Sequence, residues 1–277
     1  MPETIDKLKA IQSKNSAKGL NTVISVCGGS CTGKSSQVAR GILEYLKAFV
    51  LLFAQDRYQH DADYITNPNP VYEWDHPRNF GIEKCFDALG RLKRNQSVEV
   101  PNYSFASDRP AGMERLDPRP FILFEGLYGS YDKLIGWSDF TIYVEAPFYA
   151  RMLKRIFRNS LERYNYTPFQ ILERFLSSVM KAHNDFVIWQ KEQADLIVEM
   201  PFYFCDLKER FGLKPVGDYQ PLIIEYKYDI DADTSVTVER NLDSWSFNLI
   251  YQDKLYLNFA INREMQERLR RFDWKSL

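Results

Sequence analysis

The sequence predicts a three-layer α/β fold with a mostly parallel central sheet, followed by a small C-terminal β-rich appendage. Four apolar runs point to the sheet: "TVISVC" at 22–27, "VLLFAQD" at 50–56, "FILFEG" at 121–126 and "FTIYVEA" at 140–146. Near-continuous apolar composition is the pattern of strands buried on both faces. Helical spacing follows the first and last of them, and alternating strands and helices imply right-handed crossovers. After Pro201 the pattern changes to short strand-like runs separated by turn residues, which reads as antiparallel.

In chain order, residues 1–21 form an N-terminal extension of mixed charge. The run at 22–27 breaks into glycines, and a helix is expected over 34–48, where Val38, Ile42, Leu43 and Leu46 share one face. The run at 50–56 ends in Asp56. Residues 57–120 are expected to hold a proline-punctuated loop, a helix near 82–94 and a further loop, "VPNYSFASDRP". Glu125 closes the third strand; a helical run over 148–163 follows the fourth; and 168–194 reads as one long helix leading into "DLIVE". The main domain is expected over 22–205 and the appendage over 206–277. In the appendage "PLIIEYKYDI", "SVTVER", "SFNLIY" and "KLYLNFAI" are strand-like, and "NREMQERLRRF" reads as a closing helix. Its aromatic residues are expected to form a small core.

Composition narrows the function. Net charge is −1 over 277 residues, so no global positive field recommends nucleic acid or an anionic membrane as a partner. Four cysteines without CxxC spacing and three histidines assemble no zinc site. No stretch reaches the ~20 apolar residues of a membrane span, and no apolar signal core opens the chain, so a cytoplasmic protein with reduced thiols is expected.

"VISVCGGSCTGKSSQ" carries the chemistry. Gly28, Gly33, Lys34 and Ser35 satisfy G-x-x-x-x-G-K-[ST] between an expected strand and a helix start, which is the P-loop NTPase arrangement. Backbone N–H groups from Gly28 through Ser36 (Gly29, Ser30, Cys31, Thr32 and Gly33 among them) would turn in on phosphate oxygens, with Lys34 as a point charge on the outer phosphates and Ser35 on magnesium. The loop predicts a bound nucleoside triphosphate.

Neither an NKxD guanine-reading segment nor an LSGGQ signature occurs in the chain. Transfer of phosphate to a small acceptor requires instead a carboxylate at the acceptor hydroxyl, a metal-linked acid and arginines over the transferring group. Asp56, after its strand, is a candidate for the first and a possible metal partner; its bland alternative is a turn residue. Glu125 is a candidate for the second. Arg151, Arg155 and Arg158 fall on one helix face, and Arg163 continues the set; a solvated face is their bland alternative. His76, before a proline, could contact substrate or cap a turn.

Taken in order, "GGSCTGKSS", "QDRY", "WDHP", "VPNYSF", "LFEG", "RIFRNSLER" and "KEQADLIV" resemble the phosphoribulokinase/uridine kinase family over about 22–200. The resemblance implies ATP- and magnesium-dependent phosphorylation of a ribose or pentose-phosphate hydroxyl, commonly in oligomers, with a lid here near 151–167; a kinase for another small alcohol such as pantothenate or glycerate, or a non-catalytic nucleotide-binding regulatory protein, is the alternative. The resemblance implies that Asp56 is the catalytic base, Glu125 the metal-associated acid, and Arg155, Arg158 and Arg163 the phosphate-contacting arginines. Tyr58, Trp74, Asp75, His76, Tyr103, Phe105, Asp108 and Arg109 then fall in segments around the acceptor. The chain departs from the uridine kinase pattern "YDFxxHxR", reading "YSFASDR", so the histidine that contacts a pyrimidine is missing and Asp108 lies nearby. It also reads "RN" at Arg158–Asn159 and "ERYN" at 162–165, where the family has "RD" and "ERGR".

Overall fold

A computed structural model describes residues 2–60, 75–105, 107, 109–131, 136–163 and 166–271. The chain forms two compact units, one of Met1–Ala146 with Ser178–Met200, the other of Pro147–Ser177 with Pro201–Leu277.

The first unit holds α1 (Pro2–Ser16), β1 (Thr22–Cys27), a wide-turned helical stretch Lys34–Ala39 that continues as α2 (Arg40–Leu46), and β2 (Val50–Ala54). Next come α3 (Ile82–Lys93), β3 (Val98–Ser104), β4 (Arg109–Leu116), β5 (Phe121–Glu125), β6 (Phe140–Glu145) and β7 (Leu196–Glu199). The sheet runs β2-β5-β1-β6-β7, and every neighbouring pair is parallel.

Side-chain alternation explains why these strands carry so little polarity. One face of the sheet offers Ile24, Val26, Leu123, Ile142 and Val144 to Leu8 and Ile11 of α1 and to Ile42, Leu43 and Leu46 of α2. The opposite face offers Val23, Phe53, Ile122 and Phe124 to Phe86, Leu89 and Leu92 of α3 and to Val98, Val100 and Leu116 of the β3–β4 pair. Each such large apolar side chain, fully buried, contributes about 1.5–3 kcal/mol. The register aligns Val26 and Ala54 with Glu125, so three strands reach one edge together.

A largely buried ion pair ties α3 to the approach to β6. Lys93 Nζ donates to Asp139 Oδ1 (2.8 Å) and to the Trp137 carbonyl (2.9 Å), while Asp139 Oδ2 accepts from the Val23 N–H (2.9 Å). Removing one member strands the other charge, so Asp139→Ala is expected to cost about 3–5 kcal/mol in chemical denaturation.

The expected loop "VPNYSFASDRP" is instead largely an antiparallel hairpin, β3 paired with β4 from Val98↔Leu116 to Ser104↔Arg109. All of β4 except Leu116 is exposed, so no apolar alternation announces it. Nor does the sequence pattern signal α1. Helical turns do follow Pro168, but the expected single helix is divided among α, wide and 3₁₀ stretches as far as Gln193.

In the second unit, α4 (Phe148–Arg158) continues in wide turns over Asn159–Arg163, and α5 (Pro168–Arg174) starts from a reciprocal Thr167–Gln170 capping box. Helix α6 (Phe204–Phe211), another unexpected element, ends at Gly212 (φ +60°). Strands β8 (Gly217–Asp218), β9 (Ile223–Asp229), β10 (Thr234–Asn241), β11 (Ser244–Tyr251) and β12 (Lys254–Ile261) form an antiparallel sheet in the order β8-β12-β11-β10-β9. Helix α7 (Arg263–Arg271) follows. Val236, Val238, Phe247 and Leu249 are buried on one side of this sheet, Phe247 stacks on Phe259, and Phe204 packs against Tyr251 and Tyr256. Of the tail aromatics expected in a core, Phe247 and Tyr256 are buried and the others, among them Tyr251 and Phe259, are half-buried. Among the described residues, no helix is long and apolar enough to cross a membrane.

Candidate active site

The glycine-rich loop leaves the carboxyl end of β1. Gly28 has φ +136° and would bring a Cβ to 2.2 Å from the Val144 carbonyl oxygen, so both backbone angle and proximity to β6 require glycine. Cys31 (φ +65°) and Gly33 (φ +100°) supply the other left-handed turns. The Gly29 carbonyl accepts from Thr32 Oγ1 (3.0 Å) and from Lys34 Nζ (2.8 Å). Lys34 is therefore buried and folded back over the loop it follows. Ser30 and Cys31 are half-buried, while Ser35 and Ser36 are exposed at the helix start.

The acids stand at the neighbouring strand ends. Asp56 lies, partly exposed, in the 3₁₀ turn Gln55–Tyr58 directly after β2. Glu125, at the end of β5, is buried. Burial pushes its carboxyl above the usual range; the Lys34 ammonium opposes this, the Asp56 charge adds to it, and a hydrogen bond from Ser35 opposes it. Lys34, Ser35 and Asp56 thus all act on the Glu125 carboxyl, and the fold brings these four sequence candidates together.

A stability consequence follows for the ligand-free protein. Because the folded state raises the Glu125 pKa, its contribution is full below the unfolded carboxylate value and is lost as pH rises through the folded value. Glu125→Gln should therefore raise the melting temperature at neutral pH, with the gain shrinking toward acid, while catalysis falls; melting curves across pH check this.

Other candidates occupy the same unit. Tyr58 is buried in the core beneath the Asp56 turn, with its phenol pushed up by burial. β3 lies against this turn, and Arg57 Nη1 pairs with Glu114 Oε2 of β4 at 2.6 Å. At the far end of β3, Tyr103 and Phe105 meet edge to face at 5.2 Å, and Arg109 is exposed at the start of β4. Asp75 is buried, and its carbonyl accepts from the Tyr128 hydroxyl. His76 caps the Pro77–Asn79 turn, its Nδ1 accepting from the Arg78 N–H (3.1 Å), and its ring meets Phe186 at 4.7 Å. Trp74 and Asp108 lie outside the described residues. Burial pushes the Cys27 thiol up to about 12 and raises Cys85 as well, so neither is a poised nucleophile.

The arginine candidates belong to the second unit. Arg151 and Arg155 are buried on α4, and Arg158 and Arg163 are half-buried, so the first two are no solvated face. Arg151 lies over the Phe175 ring, 6.0 Å from its centroid.

A glycine-rich turn between the first strand and helix of a parallel sheet, with acids closing the adjacent strands, defines the P-loop class of phosphate-handling proteins. Comparison with known proteins narrows the class. The phosphoribulokinase/uridine kinase family model matches residues 23–201. A uridine kinase of Listeria monocytogenes serotype 4a is 32% identical over 180 residues, covering 64% of this chain and 85% of that protein. One from Staphylococcus aureus strain JH9 is 31% identical over 181 residues, covering 64% and 86%. Among solved structures, a phosphoribulokinase from Rhodobacter spheroides matches with a TM-score of 0.52 at 16% identity, covering 81% of this chain and 82% of that one. A D-glycerate 3-kinase from Cryptococcus neoformans gives 0.51 at 10% identity, covering 67% and 87%. These two are likenesses of fold. The chain belongs to the phosphoribulokinase/uridine kinase family and is an ATP-dependent phosphotransferase with an alcohol group as acceptor.

Sequence reasoning missed Gln55, Gly126 and the Arg57–Glu114 pair. Each is a polar or small residue whose meaning depends on a neighbour distant in the chain.

Proposed function

We propose that this enzyme transfers the γ-phosphoryl group of ATP to a hydroxyl of a nucleoside or pentose phosphate in the cytoplasm. The carrying observation is the convergence of Lys34, Ser35 and Asp56 on the buried Glu125 carboxyl. Asp56, beside β3 of the hairpin, aligns the acceptor hydroxyl and takes its proton for in-line attack. Lys34 and the loop N–H groups offset charge on the phosphates. Arg155, Arg158 and Arg163 carry the phosphate contacts of the family's lid, a role supported by the family pattern and by arginine's bidentate fork. Tyr58, Asp75, His76, Tyr103, Phe105 and Arg109, with Trp74 and Asp108, are proposed to surround the acceptor.

The donor set suits magnesium. Ser35, Glu125 and Asp56 offer only hard oxygens, and the described residues contain no cluster of three or more His, Cys, Asp or Glu for a self-sufficient metal cage. Magnesium is commonly held by one or two carboxylates plus substrate phosphates. When bound, it would neutralise phosphate charge; Ser35 and Glu125 would hold it, and Asp56 would offer a further acid.

A screen of nucleosides, ribulose 5-phosphate, D-glycerate, pantothenate and small polyols for acceptor-dependent ADP release tests this reading. Turnover with a nucleoside or the pentose phosphate, dependent on magnesium, is the expected result. Preference for D-glycerate or pantothenate overturns the acceptor assignment, and ATP binding without release for any acceptor overturns catalysis. Size measurement in solution tests the homo-oligomer that the family pattern implies.

A further inference from the structure

We infer that Gln55 is a positioning residue that fixes the separation between Asp56 and Glu125. This rests on the reading of those two acids given above.

Gln55 stands between the end of β2 and Asp56 and is fully buried. Its side chain reaches the neighbouring strand end, where Oε1 accepts from the Tyr128 N–H at 3.0 Å. On the way it passes so close to Gly126 that a Cβ there would lie 2.1 Å from Oε1 and 2.5 Å from Gln55 Cβ. Gly126 immediately follows Glu125. The residue beside the proposed base is therefore wedged against the residue beside the proposed metal acid, and the bare glycine makes that approach achievable.

The other amide atom points to the same role. Gln55 Nε2 is buried with no hydrogen-bond partner among the described residues. A buried donor left so carries a desolvation penalty that an apolar side chain of equal length would avoid. What the amide contributes at this position is its oxygen, and that oxygen holds Tyr128.

The segment after Glu125 is held from its other flank as well. Gln190, also fully buried, donates from Nε2 to the Leu127 carbonyl (2.8 Å) and accepts at Oε1 from the Ser130 N–H (2.9 Å). Two buried amides thus grip one short stretch, but Gln55 alone belongs to the turn carrying Asp56. That difference separates positioning from simple support.

The test uses the full chain with ATP and whichever of uridine or ribulose 5-phosphate drives ADP release. Gln55→Met should lose kcat about 10²-fold, the scale of an ångström-level misplacement, while the calorimetric Kd for ATP changes less than about twofold. Gln55→Glu keeps an oxygen for Tyr128 and should recover about tenfold of that loss. Gln190→Met, which removes hydrogen bonds to the same stretch, should lower the melting temperature yet keep kcat within about threefold of the parent. Equal loss of kcat in Gln190→Met and Gln55→Met, or near-parental kcat in Gln55→Met, overturns the inference. Should Gln55→Met not fold, Gln55→Ala, which also removes the oxygen held by Tyr128, decides: reduced kcat with unchanged ATP affinity supports positioning, and parental kcat overturns it. An active Asp56→Asn enzyme would sink the underlying functional reading, whereas inactive Asp56→Asn beside fully active Gln55→Met sinks only the positioning role.

Discussion

Asp56→Asn is expected to lower kcat by roughly 10²–10⁴-fold, the usual contribution of a positioned general base, while leaving ATP affinity nearly unchanged. The split follows from the fold. The phosphate loop is built on β1 and stabilised by contacts among Gly29, Thr32 and Lys34, none of which uses Asp56. Asp56 belongs to the turn after β2, two strands away in the order β2-β5-β1. The asparagine side chain keeps the shape and loses the proton acceptor. Single-turnover phosphoryl transfer measured beside ATP calorimetry checks the result; near-normal turnover would remove Asp56 from the mechanism.

Gly28→Ala should damage both stability and nucleotide binding. Its φ of +136° disfavours any side chain, and the new methyl would meet the Val144 carbonyl oxygen at 2.2 Å, a rigid backbone atom of β6. Overpacking of this kind costs about 1–3 kcal/mol and an enforced unfavourable backbone conformation about 1–3 kcal/mol more. Relief requires moving the loop away from β6, which disperses the N–H groups meant for phosphate. Gly112→Ala is the control: its φ is +92°, but nothing lies within 4 Å of the added methyl, so it should show the conformational part alone. Thermal melts and ATP titrations of the pair separate the two contributions, and a Gly28→Ala protein no weaker than Gly112→Ala would refute the packing argument.

The parallel sheet was legible because β1, β5 and β6 are enclosed on both sides and so carry unbroken apolar runs. The loop was legible because its glycines, lysine and serine recur at fixed spacing for a chemical reason. The β3–β4 hairpin was not, since Pro101, Pro110 and Gly112 interrupt strand composition and β4 turns its charged residues to solvent. Asp56 and Glu125 could be proposed from their strand-end positions. That they share one electrostatic environment with Lys34 depends on the strand order, which no local pattern encodes. Gln55 was hidden for a similar reason: a glutamine beside an aspartate looks like surface until Tyr128 and Gly126 are brought against it.

The fold moors the Lys34 ammonium at the Gly29 oxygen. An incoming polyphosphate therefore exchanges one acceptor for another and does not have to recruit a roaming cation from solvent. Most of the side-chain freedom that a long lysine would forfeit on capture, up to about 2 kcal/mol, has been surrendered during folding.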